Sequence, residues 1–123
     1  MNVLFVAFGS AAGGVARYLV GTLVPATGGF PLATLTVNIA GSLLIGILSG
    51  WFARLSGGAN VEALRLVLVV GFCGGFTTFS TFSNETIRLI ESAHVLVAAG
   101  YVLASVLAGL LAVFLGLQLG RGC

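Results

Sequence analysis

Lysine and aspartate do not occur, and the whole set of charges is five Arg and three Glu in 123 residues. At 7% charged residues, the chain falls far short of the roughly 25% found in an average soluble domain. A water-facing surface therefore cannot be assembled from it. The arginines stand singly at positions 17, 54, 65, 88 and 121, which excludes a basic patch or stripe for nucleic acid. The single histidine, His94, and two distant cysteines, Cys73 and Cys123, lack metal-ligand spacing. Cys73 reads as small-residue packing and Cys123 as an incidental tail thiol. There is no glycine loop ending in Lys to cradle a phosphate and no nucleophile, base and acid set, which argues against an enzyme. No carboxylate precedes Glu62, so the first two apolar runs contain no acid for proton exchange. No basic residue precedes Arg17, so the positive start of a secretory signal is missing and the first run reads as a retained span.

Apolar residues fill the space left by the missing charges, at 59% of the chain with a mean hydropathy of +1.19. A span needs about 20 mostly apolar residues, and the runs at about 2–24, 32–53, 64–90 and 95–119 meet that length. The expected fold is all-α and integral to the membrane, a single domain over 1–123 with four transmembrane helices. Pro25 and the Gly28-Gly29 pair close the first run, Arg54 and Ser56-Gly57-Gly58 the second, and Arg121 the fourth. Trp51 suits an interfacial belt. Small residues recur every four positions, at Gly9 and Gly13, at Ser42, Gly46 and Gly50, at Gly71 and Gly75, and at Gly100, Ala104 and Ala108. That spacing lets helix backbones approach closely in lipid.

With four spans, Arg54, Arg65 and Arg121 share one side with both termini, while Arg88 and Arg17 belong to the other. The excess of positive charge on one side sets orientation, and this distribution barely supplies one. Insertion in both directions, giving an antiparallel dual-topology homodimer, is one reading; a single fixed orientation is the other.

The stretch Gly71-Phe72-Cys73-Gly74-Gly75-Phe76-Thr77-Thr78-Phe79-Ser80-Thr81-Phe82-Ser83-Asn84 is a poor continuous helix. Each Gly costs about 1 kcal/mol relative to Ala, and hydroxyls compete for backbone partners. A break near residues 74–78 is expected, with freed carbonyls suited to a cation; a glycine-lined kink for packing is the alternative. Phe79 and Phe82 share a helical face, flanked by Thr77, Ser80, Thr81 and Asn84. Ring edges are partly positive, so rings beside hydroxyl and amide donors can replace water around a small anion; plain core packing is the competing role. On the second run Thr34, Asn38 and Ser42 form a matching stripe, in which Asn38 offers two amide donors or ties two helices together. Tyr101 and Ser105 have the same spacing in the fourth run. Arg17 either draws anions into a vestibule or snorkels to the headgroups. Glu85 stands where it can pair with Arg88, and His94 falls in a solvated loop.

The runs Gly13-Gly14-Val15-Ala16-Arg17-Tyr18, Thr34-Leu35-Thr36-Val37-Asn38 and the long motif from Gly71 to Ser83 resemble the Fluc (CrcB-like) fluoride channels, and the resemblance covers the whole chain. It implies an antiparallel homodimer of four-helix subunits in the bacterial inner membrane, with two pores that passively release cytoplasmic fluoride. Phe79 and Phe82 fall on the family's pore phenylalanines, Asn38 on its pore asparagine and Thr81 on the hydroxyl between the rings. Tyr101 and Ser105 fall on its polar track. The carbonyls of Gly74 and Thr77, taken from both subunits, would hold a structural sodium ion. Gly109 stands where some members carry another hydroxyl. Two other classes compete: a four-span multidrug exporter, which needs a carboxylate in the first span, and a packing subunit, which needs neither polar stripe.

Overall fold

The computed structural model describes residues 1–122 and contains four helical crossings long and apolar enough to span a membrane. Helix α1 covers Asn2–Leu23 and α2 covers Leu32–Phe52. The third crossing is composite: α3 at Ala59–Arg65, a π-helix at Leu66–Cys73, a single turn α4 at Gly74–Phe76, and α5 at Phe79–Glu91. Helix α6 covers Val95–Gly122. Cys123 lies outside the described residues.

Two boundaries extend past the apolar runs. The third crossing begins at Ala59 rather than near residue 64, and α6 continues beyond residue 119. Hydropathy marks where a helix can sit in lipid, whereas backbone bonding continues into the polar flank. There Glu62 and Arg65 form an i,i+3 ion pair at 3.6 Å, a favourable spacing on a helix surface.

Only 11–22% of each crossing's apolar window is buried within the chain. Phe8, Leu23, Leu96 and Phe79 are among the large side chains left outward. Internal packing therefore does not explain most of the apolar composition; lipid or another chain must cover it.

Two glycine-lined seams hold the bundle. Helix α1 lies along the π-helix and α4, and α2 lies along α6. A Cβ on Gly9 would run into the Val67 carbonyl, and one on Gly13 into that of Phe72. In the second seam Gly46 and Gly50 face Gly116 and Gly120. The small residues of α6 that receive α2 are thus Ala112, Gly116 and Gly120, all buried. Gly100, grouped with Ala104 and Ala108 by its spacing, has open space where a side chain would stand. Several faces of α6 carry small residues, so spacing alone does not identify the packed one.

The loops are tight. Gly28 and Gly29 take φ of 61° and 79°, a left-handed pair that only glycine adopts cheaply, and the Phe30 N–H returns to the Thr27 carbonyl at 3.0 Å. This turn sets the Phe30 ring edge-on to Tyr101, with centroids 5.5 Å apart at 80°. Between α5 and α6, the His94 N–H bonds Leu89 O at 2.8 Å and the Ala93 N–H bonds Ile90 O at 3.0 Å. That pairing is a Schellman closure with Ala93 at φ 63°.

Candidate functional site

Thr77 (φ −83°, ψ 158°) and Thr78 (φ −150°, ψ 117°) are extended and separate α4 from α5. Helix propensity is low on the upstream side, where Gly74 and Gly75 carry the highest backbone entropy, and β-branched Thr tolerates extended geometry well. Downstream, Thr78 is the N-cap of α5: its Oγ1 accepts the Thr81 N–H at 3.3 Å and donates to Thr81 Oγ1 at 3.0 Å. Ser80 Oγ lies 3.4 Å from the same hydroxyl.

Asn38 of α2 meets this junction as a neighbouring strand would. Its Oδ1 accepts the Thr78 N–H at 2.8 Å, and its Nδ2 donates to the Thr78 carbonyl at 3.0 Å. Thr78 is only 7% exposed, so no bulk water substitutes for this amide. Of the two readings of Asn38, the tie between helices is made here, and it engages Oδ1 and one of the two Nδ2 hydrogens, leaving the other outside this pair.

One helical turn toward the N-terminus of α2, the buried Thr34 donates to Glu85 Oε1 at 2.8 Å, and Tyr101 of α6 donates to Glu85 Oε2 at 2.8 Å. The spacing of Glu85 and Arg88 on α5 is compatible with an ion pair, but the carboxylate turns inward to these two hydroxyls instead. Among the described residues the one ion pair is Glu62–Arg65. In a low-dielectric setting two hydroxyl donors satisfy a carboxylate that would otherwise be costly.

An aromatic column stands beside these polar groups. The rings of Phe79 and Phe82 are 5.7 Å apart at 44°, those of Phe82 and Tyr101 are 5.1 Å apart at 53°, and Phe30 completes the row. Tyr101 is fully buried, whereas Phe79 is 79% exposed. The two phenylalanines share a helix face but not an environment.

Two clefts flank Thr78. One, of about 330 Å³, is lined by Arg17 and Tyr18 of α1, Thr34 of α2, and Thr78 and Thr81. The other, of about 360 Å³, is lined by Asn38 and Ser42 of α2, by Gly74, Thr77 and Thr78, and by Phe79. The structure thus gathers Thr34, Asn38, Gly74, Thr77, Phe79, Ser80, Thr81, Phe82, Tyr101 and Arg17 around one junction. Ser105 stands apart, one turn along α6 from Tyr101, with its buried hydroxyl unpartnered.

Two further residues, Thr78 and Glu85, belong to this constellation and lie outside the pore positions that the family resemblance implies. Thr78 was legible as an N-cap, a Thr three residues before Thr81 at the start of a periodic run. Glu85 was legible only as a carboxylate spaced to pair with Arg88; its actual partners are 51 and 16 residues away in the chain.

Fold and site together define a polytopic α-helical membrane protein whose third crossing is interrupted at a polar junction beside stacked rings. Residues 4–117 match the family described as "CrcB-like protein, Camphor Resistance (CrcB)", and the chain belongs to that family. It is 51% identical over 124 residues to the fluoride-specific ion channel FluC of Coxiella burnetii (strain CbuK_Q154), covering 98% of each chain. It is 48% identical over 122 residues to the protein of the same name from Novosphingobium aromaticivorans, covering 96% of this chain and 94% of the relative. It is also 47% identical over 119 residues to the fluoride-specific ion channel FluC 2 of Rhodococcus jostii, covering 97% and 98%.

Proposed function

We propose that this protein is a fluoride channel of the bacterial plasma membrane that lets cytoplasmic fluoride leave down its gradient, a passive transporter and not an enzyme. The observation that carries this reading is the column of Phe79, Phe82 and Tyr101 beside the amide and hydroxyl groups of Asn38, Ser80 and Thr81. Fluoride holds its water tightly, and a narrow path must replace that water step by step. Ring edges and neutral donors do so without the full positive charge that would trap the ion. Arg17, at the cleft leading to Thr34 and Thr81, supplies an attracting charge at the mouth and not along the path. Ser105 extends the polar row along α6.

The path is completed by a second copy in the antiparallel orientation. A ring as exposed as Phe79 can line an enclosed passage only when another surface covers it. The balance of Arg54, Arg65 and Arg121 against Arg17 and Arg88 sets little orientation preference. Two copies would bring the Gly74 and Thr77 carbonyls together around a structural sodium ion. The residues fit such an ion: Thr77 is extended at a helix end, Gly74 has open space beside it, and neutral carbonyl oxygens suit a hard monovalent cation. The ion would supply charge compensation for facing carbonyls at the subunit contact.

Purified protein reconstituted alone into liposomes tests the function. Fluoride efflux recorded with a fluoride-selective electrode, with chloride loss negligible in a parallel chloride recording, is the expected result. Equal loss of both anions, or of neither, would refute it.

A further inference from the structure

In an unbroken α-helix each N–H bonds the carbonyl four residues earlier. Continued through the junction, that rule would send the Thr78 N–H to the Gly74 carbonyl and the Thr81 N–H to the Thr77 carbonyl. Neither bond forms. The Thr78 N–H goes to Asn38 Oδ1 at 2.8 Å, and the Thr81 N–H goes to Thr78 Oγ1 at 3.3 Å. The two carbonyls released in this way are Gly74 and Thr77, the pair assigned above to the cation.

We infer that Asn38 and Thr78 are positioning residues for the cation site, their side chains intercepting the two N–H groups that would otherwise occupy the Gly74 and Thr77 carbonyls. This inference rests on the cation reading given above and extends it to two side chains that need not touch the ion.

The geometry gives Asn38 a further hold. By bonding both the N–H and the carbonyl of Thr78, it fixes the two peptide planes on either side of that residue. In a trans peptide the N–H and C=O point in opposite directions. A Thr78 N–H aimed at Asn38 therefore turns the Thr77 carbonyl away from α2. Because Thr78 is 7% exposed, loss of the amide leaves its N–H to seek the Gly74 carbonyl, which restores helical bonding and removes one oxygen from the site. The chemistry of the ligand follows from the donors. Among the described residues no group of three or more His, Cys, Asp or Glu is close enough to hold a metal, so the multi-ligand set that a divalent or transition metal prefers is not assembled here. Neutral backbone oxygens favour a monovalent hard cation such as sodium. Asn38 thus serves two ions at once, an anion along the cleft that it lines and a cation that it affects only through the backbone.

The test measures thermal unfolding of the purified full-length protein in detergent while sodium replaces N-methyl-D-glucamine at constant ionic strength. Binding to the folded state raises stability with ligand concentration, so the parent should show a sodium midpoint. Asn38→Leu and Thr78→Val should each move that midpoint upward by about tenfold or more, Thr78→Ser should restore it, and Phe82→Ile should leave it at the parental value. Parental midpoints in both Asn38→Leu and Thr78→Val would overturn the positioning role while leaving the cation reading intact. A parent with no sodium dependence would overturn the cation reading and this inference with it. Should Asn38→Leu fail to accumulate, the contrast between Thr78→Val and Thr78→Ser decides by the same midpoints, and equal midpoints for the two would count against the inference.

Discussion

Helix α2 is held in two different ways along its length. In its C-terminal half Gly46 and Gly50 meet Gly116 and Gly120 of α6 backbone to backbone, and among the described residues no side-chain hydrogen bond joins the two helices there. In its N-terminal half Thr34 reaches Glu85, and Asn38 brackets Thr78. Dispersion between closely approaching backbones is sufficient to join helices in lipid, so the glycine seam accounts for assembly without any polar group. Polar groups in the same environment are costly unless satisfied. Thr36 bonds only its own helix, at Leu32 O, but Thr34 and Asn38 at the same end of α2 each hold a specific long-range partner, which is the mark of a site and not of a bundle that merely needed joining.

This contrast can be broken most severely at the seam. Gly116→Leu places a side chain against the Leu43 carbonyl and the Ile47 N–H, which are backbone atoms that cannot rotate aside. The cost should exceed the roughly 1–3 kcal/mol of ordinary overpacking, and the folded protein should fail to accumulate, as checked by size-exclusion chromatography after detergent extraction. Gly100→Leu, with open space at its Cβ, should behave as the parent in the same assay.

A smaller effect is expected at the junction. Tyr101→Phe keeps the ring contacts with Phe30 and Phe82 and removes only the 2.8 Å hydrogen bond to Glu85. A hydrogen bond to a charged partner is worth about 1.5–3 kcal/mol, so the variant should fold, with a lowered thermal midpoint and reduced fluoride flux. An unchanged midpoint would mean that Glu85 finds another donor and that Thr34 alone sets its position.

The two regions were not equally legible in the sequence. Apolar run length reveals four crossings because lipid imposes a minimum span, and the Gly–Gly–Thr–Thr density marks where helical bonding is weakest. The seam was half legible. Gly46 and Gly50 lie one turn apart on α2, but both helices carry small residues on more than one face, with Gly41 of α2 meeting Thr77 instead, and only packing selects Gly116 and Gly120 over Gly100. The π-helical register of Leu66–Cys73 was hidden because a uniformly apolar segment has no polar phase to betray its pitch. At the junction the residue types were legible and their partners were not. Asn38 reads equally as an ion ligand or as a helix tie, and its bonds to a backbone 40 residues away depend on the tertiary fold. Glu85 adjoins Arg88 on α5, so local reasoning pairs them, whereas the fold supplies Thr34 and Tyr101.

The ring column offers the most direct test of the central claim that ions pass beside Phe79 and Phe82. Ile is close to Phe in bulk but lacks the positive ring edge, so Phe79→Ile and Phe82→Ile should keep the passage narrow while withdrawing the groups that replace fluoride's water. Fluoride efflux from liposomes holding each variant, recorded beside chloride, should fall at least about tenfold, the equivalent of some 1.4 kcal/mol added to the barrier, with chloride still retained. Parental fluoride efflux from both variants would contradict the account and reduce the rings to packing residues.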